Sequence, residues 1–191
     1  MRRISFFSSA VMALCLLWSG CEIDDQSAAS NGELKRMKHQ DAVQIAPRGE
    51  MAEGIDVSHW QGTINWNAVA GKSDRRFAFI RVSDGTGTMD SEFEANWAGA
   101  KNAGVLRGVY QFFRTSQDAT EQAQIVVNAL DEQGFDDEDI SPVMDIESSS
   151  DSPETIYNQM VTWLDYVELH TGRVPIIYSM KGFWDANMGP Y

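Results

Sequence analysis

Val143-Met144-Asp145-Ile146-Glu147 reads as a buried strand that ends in two acids. It is apolar at Val143, Met144 and Ile146, with Pro142 before it and Ser148-Ser149-Ser150-Asp151-Ser152-Pro153 after it. A short apolar run between such turn signals suits a strand. Alternate strand side chains share a face, so Asp145 and Glu147 point the same way, with Cα atoms roughly 6.6 Å apart at ~3.3 Å per residue. Both lie at the carboxyl end of the strand, beside a loop. In a barrel of alternating strands and helices, that rim carries the chemistry. Two close carboxylates repel, which is expected to raise one pKa and leave an acid beside a base. The same pair suits a solvated strand end with helix-capping acids, so on its own it leaves catalysis and structure both open.

Working outward, the same alternation continues on either side. Residues 54–58 form a short strand ending in polar residues, and 64–69 look like a helix start. Residues 77–82 are almost continuously apolar, as suits a strand buried on both faces. Residues 91–103 carry Phe93, Trp97 and Ala100 at helical spacing, and Gly104 closes the helix. A strand over 105–113 precedes a helix over 118–130, with Ala123, Val126, Val127 and Leu130 on one stripe. After the acid pair, 154–169 places Ile156, Met160, Trp163, Leu164 and Val167 on one stripe, and Gly172 ends it. A fifth strand over 174–178 leads into a short helix over 181–187. Five strand–helix units predict a parallel α/β domain, as a barrel or an open sheet.

The chain has 191 residues, 43% of them hydrophobic, enough for one domain with a real core and a leader. Its formal net charge of −13 argues against nucleic acid as a partner, because phosphate binding needs clustered Lys and Arg. Arg2 and Arg3 precede an apolar stretch over 4–18, broken only by Ser5, Ser8 and Ser9. That is the pattern of a signal peptide over 1–21, too short for a membrane span. Leu17-Trp18-Ser19-Gly20-Cys21 resembles a bacterial lipobox, with Trp18 where a smaller aliphatic residue is usual. Cys21 is then the lipidated first residue of the mature protein and its membrane anchor. Ordinary cleavage and a soluble secreted product are the alternative. Cys15 leaves with the leader, so no disulfide framework is expected. Residues 22–50 are polar and aperiodic, a flexible tether that would let an anchored domain stand off the membrane. Residues 51–191 form the domain.

Other motifs carry little. Gly85-Thr86-Gly87-Thr88 lacks the third glycine and the lysine of phosphate-binding loops and reads as a plain turn. Residues 131–139 hold six acids in nine positions without a calcium-loop register, so a solvated loop is expected. His39, His59 and His170 show no metal-ligand spacing.

Gly54-Ile55-Asp56-Val57-Ser58-His59-Trp60-Gln61-Gly62 is more specific. With Ile64-Asn65-Trp66, it resembles the opening of the glycoside hydrolase family 25 lysozymes, the Chalaropsis-type N-acetylmuramidases. Phe77 to Arg81 resembles the second strand of that family. Asp90, Phe93 and Asn96 with Ala103-Gly104 resemble the helix that follows, and Gly108 to Phe112 the third strand. Asp145-Ile146-Glu147 resembles its acidic signature, and Gly172 through Pro175 to Tyr178 its fifth strand. The resemblance runs in order from Gly54 to Trp184.

It implies a TIM-like (β/α)5(β)3 barrel, of which this chain carries the five β/α units. It implies cleavage of the β-1,4 bond between N-acetylmuramic acid and N-acetylglucosamine in peptidoglycan, by a monomer outside the cytoplasm without metal or organic cofactor. By matching position, Glu147 would be the general acid. Asp145 and Asp56 would flank it, stabilising the cation-like transition state, tuning Glu147, or orienting the 2-acetamido group or a water. The bland readings are that Asp56 caps the next helix and that Asp145 forms an ion pair with Arg81 or another strand-end base. Tyr110, Tyr178 and Trp60 suit sugar contacts or ordinary packing at the barrel mouth. Arg81 joins them at the rim. Gln111 stands where the family often has His, which is expected to alter a substrate contact. The chain stops at Gly189-Pro190-Tyr191, after the fifth unit. A fragment of a longer product, or a catalytically inactive peptidoglycan-binding lipoprotein remnant, would each end this way, with an open sheet edge.

Overall fold

The computed structural model describes residues 2–4, 52–72 and 75–189. The expected strands are β2 (Glu53–Val57), β3 (Arg75–Asp84), β5 (Leu106–Phe112), β6 (Ile140–Ile146) and β7 (Ile176–Ser179). They pair in parallel, in the order β2-β3-β5-β6-β7. Two further strands were not expected. β4 (Thr88–Met89) folds back antiparallel on the end of β3, so the Gly85–Thr88 turn closes a small hairpin. β1 (Arg2–Ile4), inside the stretch read as a signal peptide, runs antiparallel to β2. Among the described residues β7 pairs with β6 alone, so the curled sheet is a half-barrel open at that edge. The remainder of the leader, Cys21 and the tether lie outside the described residues.

Helices α1 (Trp66–Ala70), α2 (Phe93–Asn102), α3 (Ala119–Gln133), α4 (Pro153–Thr171) and α5 (Lys181–Asn187) follow the parallel strands in turn. Their starts obey local chemistry. Side-chain oxygens of Asn65, Asp118 and Ser152 accept N–H groups in the first turns of α1, α3 and α4, and Pro153 opens α4. Gly172, at φ 66°, ends α4 in the left-handed conformation that glycine adopts without strain.

One face of the sheet meets the helices. Ile55, Val57, Ala78, Ile80, Val109, Phe113, Met144 and Ile146 point there and are buried with Trp97, Val126, Leu130, Ile156 and Trp163. The other face is layered. At its amino end Phe77 lies over Gly54 and Phe79 over Gly108, where a Cβ would sit 2.1 Å and 2.7 Å from the rings. The two rings meet edge to face at 5.6 Å. This apolar plug leaves the polar residues of the same face at the carboxyl end.

Candidate active site

Strand register brings the predicted residues together rung by rung. Asp56 pairs with Phe79, Arg81 with Tyr110, and Asp145 with both Phe112 and Tyr178. Asp56, Tyr110 and Asp145 are half-buried between buried neighbours, as expected of one face at a strand's carboxyl end. Glu147, one residue past β6, continues that alternation and is also half-buried. Asp56 lies within β2, and the caps that follow are other residues: Ser58 caps the 3-10 turn and Asn65 caps α1.

Electrostatics ties the group together. Burial pushes the Tyr110 hydroxyl well above the usual tyrosine range. The Arg81 charge draws it back, and the carboxylates of Asp56, Asp145 and Asp90 push it further up. Tyr110 therefore feels acids from two different strands, β2 and β6, which the curl of the sheet brings to one side.

Arg81 is buried and braced from below the rim. Its Nε donates to Asp90 Oδ2 at 2.9 Å, and its Nη2 lies 2.7 Å from His59 Nδ1. Asp90 also accepts the backbone N–H of His59 at 3.0 Å and of Glu92 at 3.1 Å. Burial raises the Asp90 pKa, but these donors outweigh it and hold the carboxyl below its ordinary value. Asp90 and His59 thus fix Arg81, a role that the sequence alone did not assign. Trp60, its ring tilted against His59 at 4.6 Å, is 77% exposed. Tyr178, on the same face of β7, is also exposed.

Gln111 does not join them. It points to the helix side, 0% exposed. Its Nε2 donates to Ser83 Oγ at 2.8 Å and to the Gln122 carbonyl at 2.9 Å, and its Oε1 accepts from Trp163 Nε1 at 2.6 Å. Both amide hydrogens and the oxygen are engaged, so Gln111 ties β5 to α3 and α4. The acidic stretch is largely solvated, as expected, except at its last acid. Asp139 is buried and holds Arg107 through two bonds, at 2.6 and 3.0 Å, while Arg107 lies over the Trp97 ring at 4.0 Å.

A half-barrel with carboxylates, an arginine and tyrosines at the carboxyl rim of its inner face has counterparts among known proteins. A model of the glycosyl hydrolases family 25 matches residues 55–190. The chain belongs to glycosyl hydrolase family 25. It is 36% identical over 155 residues to the uncharacterized protein YegX of Escherichia coli K12, covering 78% of this chain and 56% of YegX. It is 36% identical over 150 residues to Lysozyme M1 of Streptomyces globisporus, covering 73% of this chain and 50% of that protein. The chain therefore spans about half the length of these relatives. Among solved structures it is similar to the bacterial lysozyme from Streptomyces coelicolor, with a TM-score of 0.65 and 30% identity over 74% of this chain and 69% of that one. A muramidase from Trichobolus zukalii matches with a TM-score of 0.65 and 27% identity, over 73% and 70%.

Proposed function

We propose that this family 25 member is a muramidase that hydrolyses the β-1,4 bond between N-acetylmuramic acid and N-acetylglucosamine in peptidoglycan. The observation that carries the reading is the convergence of Asp56, Tyr110 and Asp145 on one sheet face, with Glu147 at the end of the same strand as Asp145. Glu147 gives its proton to the leaving oxygen as the bond breaks. Asp145 and Asp56 supply negative charge to the oxocarbenium-like transition state. Arg81 and Tyr110 line the floor, and Trp60 and Tyr178 present aromatic faces to the sugar rings. The domain over 51–191 supplies the five β/α units of a (β/α)5(β)3 barrel, acting as a monomer without a cofactor. The leader over 1–21 directs export, Cys21 takes the lipid, and 22–50 serve as the tether to the envelope. Among the described residues no helix is long and apolar enough to cross a membrane.

A turbidity assay on purified peptidoglycan tests this. The protein should clear the suspension, and Glu147→Gln should slow clearing by roughly 10²-fold or more, the usual worth of a positioned acid. Sedimentation with peptidoglycan but no clearing by the unmodified protein would instead favour a wall-binding role without turnover.

A further inference from the structure

The loop after Glu147, Ser148-Ser149-Ser150-Asp151-Ser152, has no apolar residue to anchor it. It is nevertheless held on both sides of Glu147 by the end of β5. Before Glu147, the Phe113 N–H donates to the Asp145 carbonyl at 2.8 Å. After it, Thr115 Oγ1 donates to Asp151 Oδ2 at 2.5 Å and lies 2.6 Å from Ser149 Oγ. The Asp151 N–H donates to Ser149 Oγ at 2.9 Å. Thr115 donates to Asp151, the Asp151 backbone donates to Ser149, and the Ser149 hydroxyl lies between Thr115 Oγ1 and Asp151 Oδ2, 3.2 Å from the latter. A hydroxyl donating to a carboxylate makes a charge-assisted bond.

Thr115 is itself fixed. It is 5% exposed, and its segment is clamped to α3 by the fully buried Gln122. Gln122 accepts the Arg114 N–H and donates to the Arg114 carbonyl, both at 2.9 Å. Arg114 in turn grips Asp84 at the end of β3 at 2.6 and 2.7 Å. Asp151 is not spent on capping α4, because Ser152 Oγ does that. The segment 113–115, held to α3 through Arg114 and Gln122, therefore bonds to both flanks of Glu147, through Phe113 before it and Thr115 after it.

We infer that Thr115 and Asp151 are positioning residues that hold Glu147 at the height and angle needed for proton transfer. The inference rests on the reading of Glu147 as proton donor. A general acid must lie within hydrogen-bond reach of the leaving oxygen, and rates are steep in that distance.

Steady-state kinetics on soluble peptidoglycan fragments test it with the full chain. Thr115→Val keeps the shape and removes the hydroxyl. It should lower kcat roughly 10- to 100-fold, the effect of misplacement by about 1 Å, while KM stays within about twofold. Asp151→Asn should act in the same direction, and Thr115→Ser should restore most of kcat. Amide exchange gives a readout independent of turnover. In Thr115→Val, residues 147–150 should exchange at least about tenfold faster while α4 amides near Trp163 hold their protection. Wild-type kcat in Thr115→Val, or unchanged loop exchange, overturns the inference, as does loss of protection throughout α4. Glu147→Gln, run alongside, separates the two levels. Full activity in Glu147→Gln sinks the proton-donor reading and this inference with it. An inactive Glu147→Gln beside a fully active Thr115→Val sinks only the inference.

Discussion

Replacing Asp90 by asparagine removes one charge from a site with no side-chain exposure, where three N–H donors and the His59 ring, at 3.1 Å, meet the carboxylate. The Asp90 side chain is 0% accessible and takes Arg81 Nε at 2.9 Å, His59 N–H at 3.0 Å and Glu92 N–H at 3.1 Å. An asparagine keeps one acceptor oxygen and turns an NH2 toward a donor on the other side. The Arg81 guanidinium is then left buried without its carboxylate. Breaking a buried pair by removing one partner costs about 3–5 kcal/mol. Asparagine retains the volume and at least one hydrogen bond, which places Asp90→Asn at the low end, about 3 kcal/mol. In urea, with m of about 1–3 kcal/mol/M, the midpoint should fall by roughly 1–3 M at unchanged slope. The pH dependence supplies a second check. Folding lowers the Asp90 pKa, so its stabilising contribution is present above the ordinary value of 3.8 and is lost as pH falls through the folded value. The stability gap between wild type and Asp90→Asn should therefore narrow below that pH. A gap under about 1 kcal/mol at pH 7, where a buried pair is worth several times more, would refute the reasoning. So would a gap of constant size down to the acid transition.

Gln111→Leu should cost about 3 kcal/mol by leaving the Trp163 indole N–H and the Ser83 hydroxyl without their partner, a fall of roughly 10 °C in Tm by calorimetry. Glycan binding by the folded protein should be unchanged, and a specific loss of binding would return Gln111 to the site. Tyr110 should stay protonated past the ordinary tyrosine value of about 10 when absorbance near 295 nm is followed through an alkaline titration. Because folding raises this pKa, the Tyr110 contribution to stability is complete below pH ~10 and is lost as pH rises toward the folded value. Tyr110→Phe should therefore flatten the alkaline limb of the stability curve, and an unaltered limb would count against the buried hydroxyl.

The alternation of strands and helices was legible because the helix-facing residues are apolar at helical or strand spacing. Trp163 and Ile156 on α4, and Ile80 and Met144 in the sheet, are all fully buried. Period-two reading of residues 105–113 also held the clue to Gln111. It falls in phase with the buried Val109 and Phe113 and out of phase with Tyr110. The family resemblance placed it among substrate contacts, and the phase was the better guide. What sequence could not supply was pairing across long separations. Asp90 meets His59 across 31 positions, Arg107 meets Asp139 across 32, and Thr115 meets Asp151 across 36. Most of these polar residues read locally as loop or cap, and Arg107 as one position of a strand. β4, two residues long, is too short to show periodicity, and β1 lies at the basic start of a stretch that reads as leader.

The central claim, that Glu147 drives cleavage on the muramic acid side, is tested most directly by naming the new chain end. Peptidoglycan digested with the protein is reduced with borohydride and its soluble fragments are analysed by mass spectrometry. The account predicts reduced N-acetylmuramic acid at the new termini, and none above background with Glu147→Gln. New termini at N-acetylglucosamine, or equal release by Glu147→Gln, would contradict it.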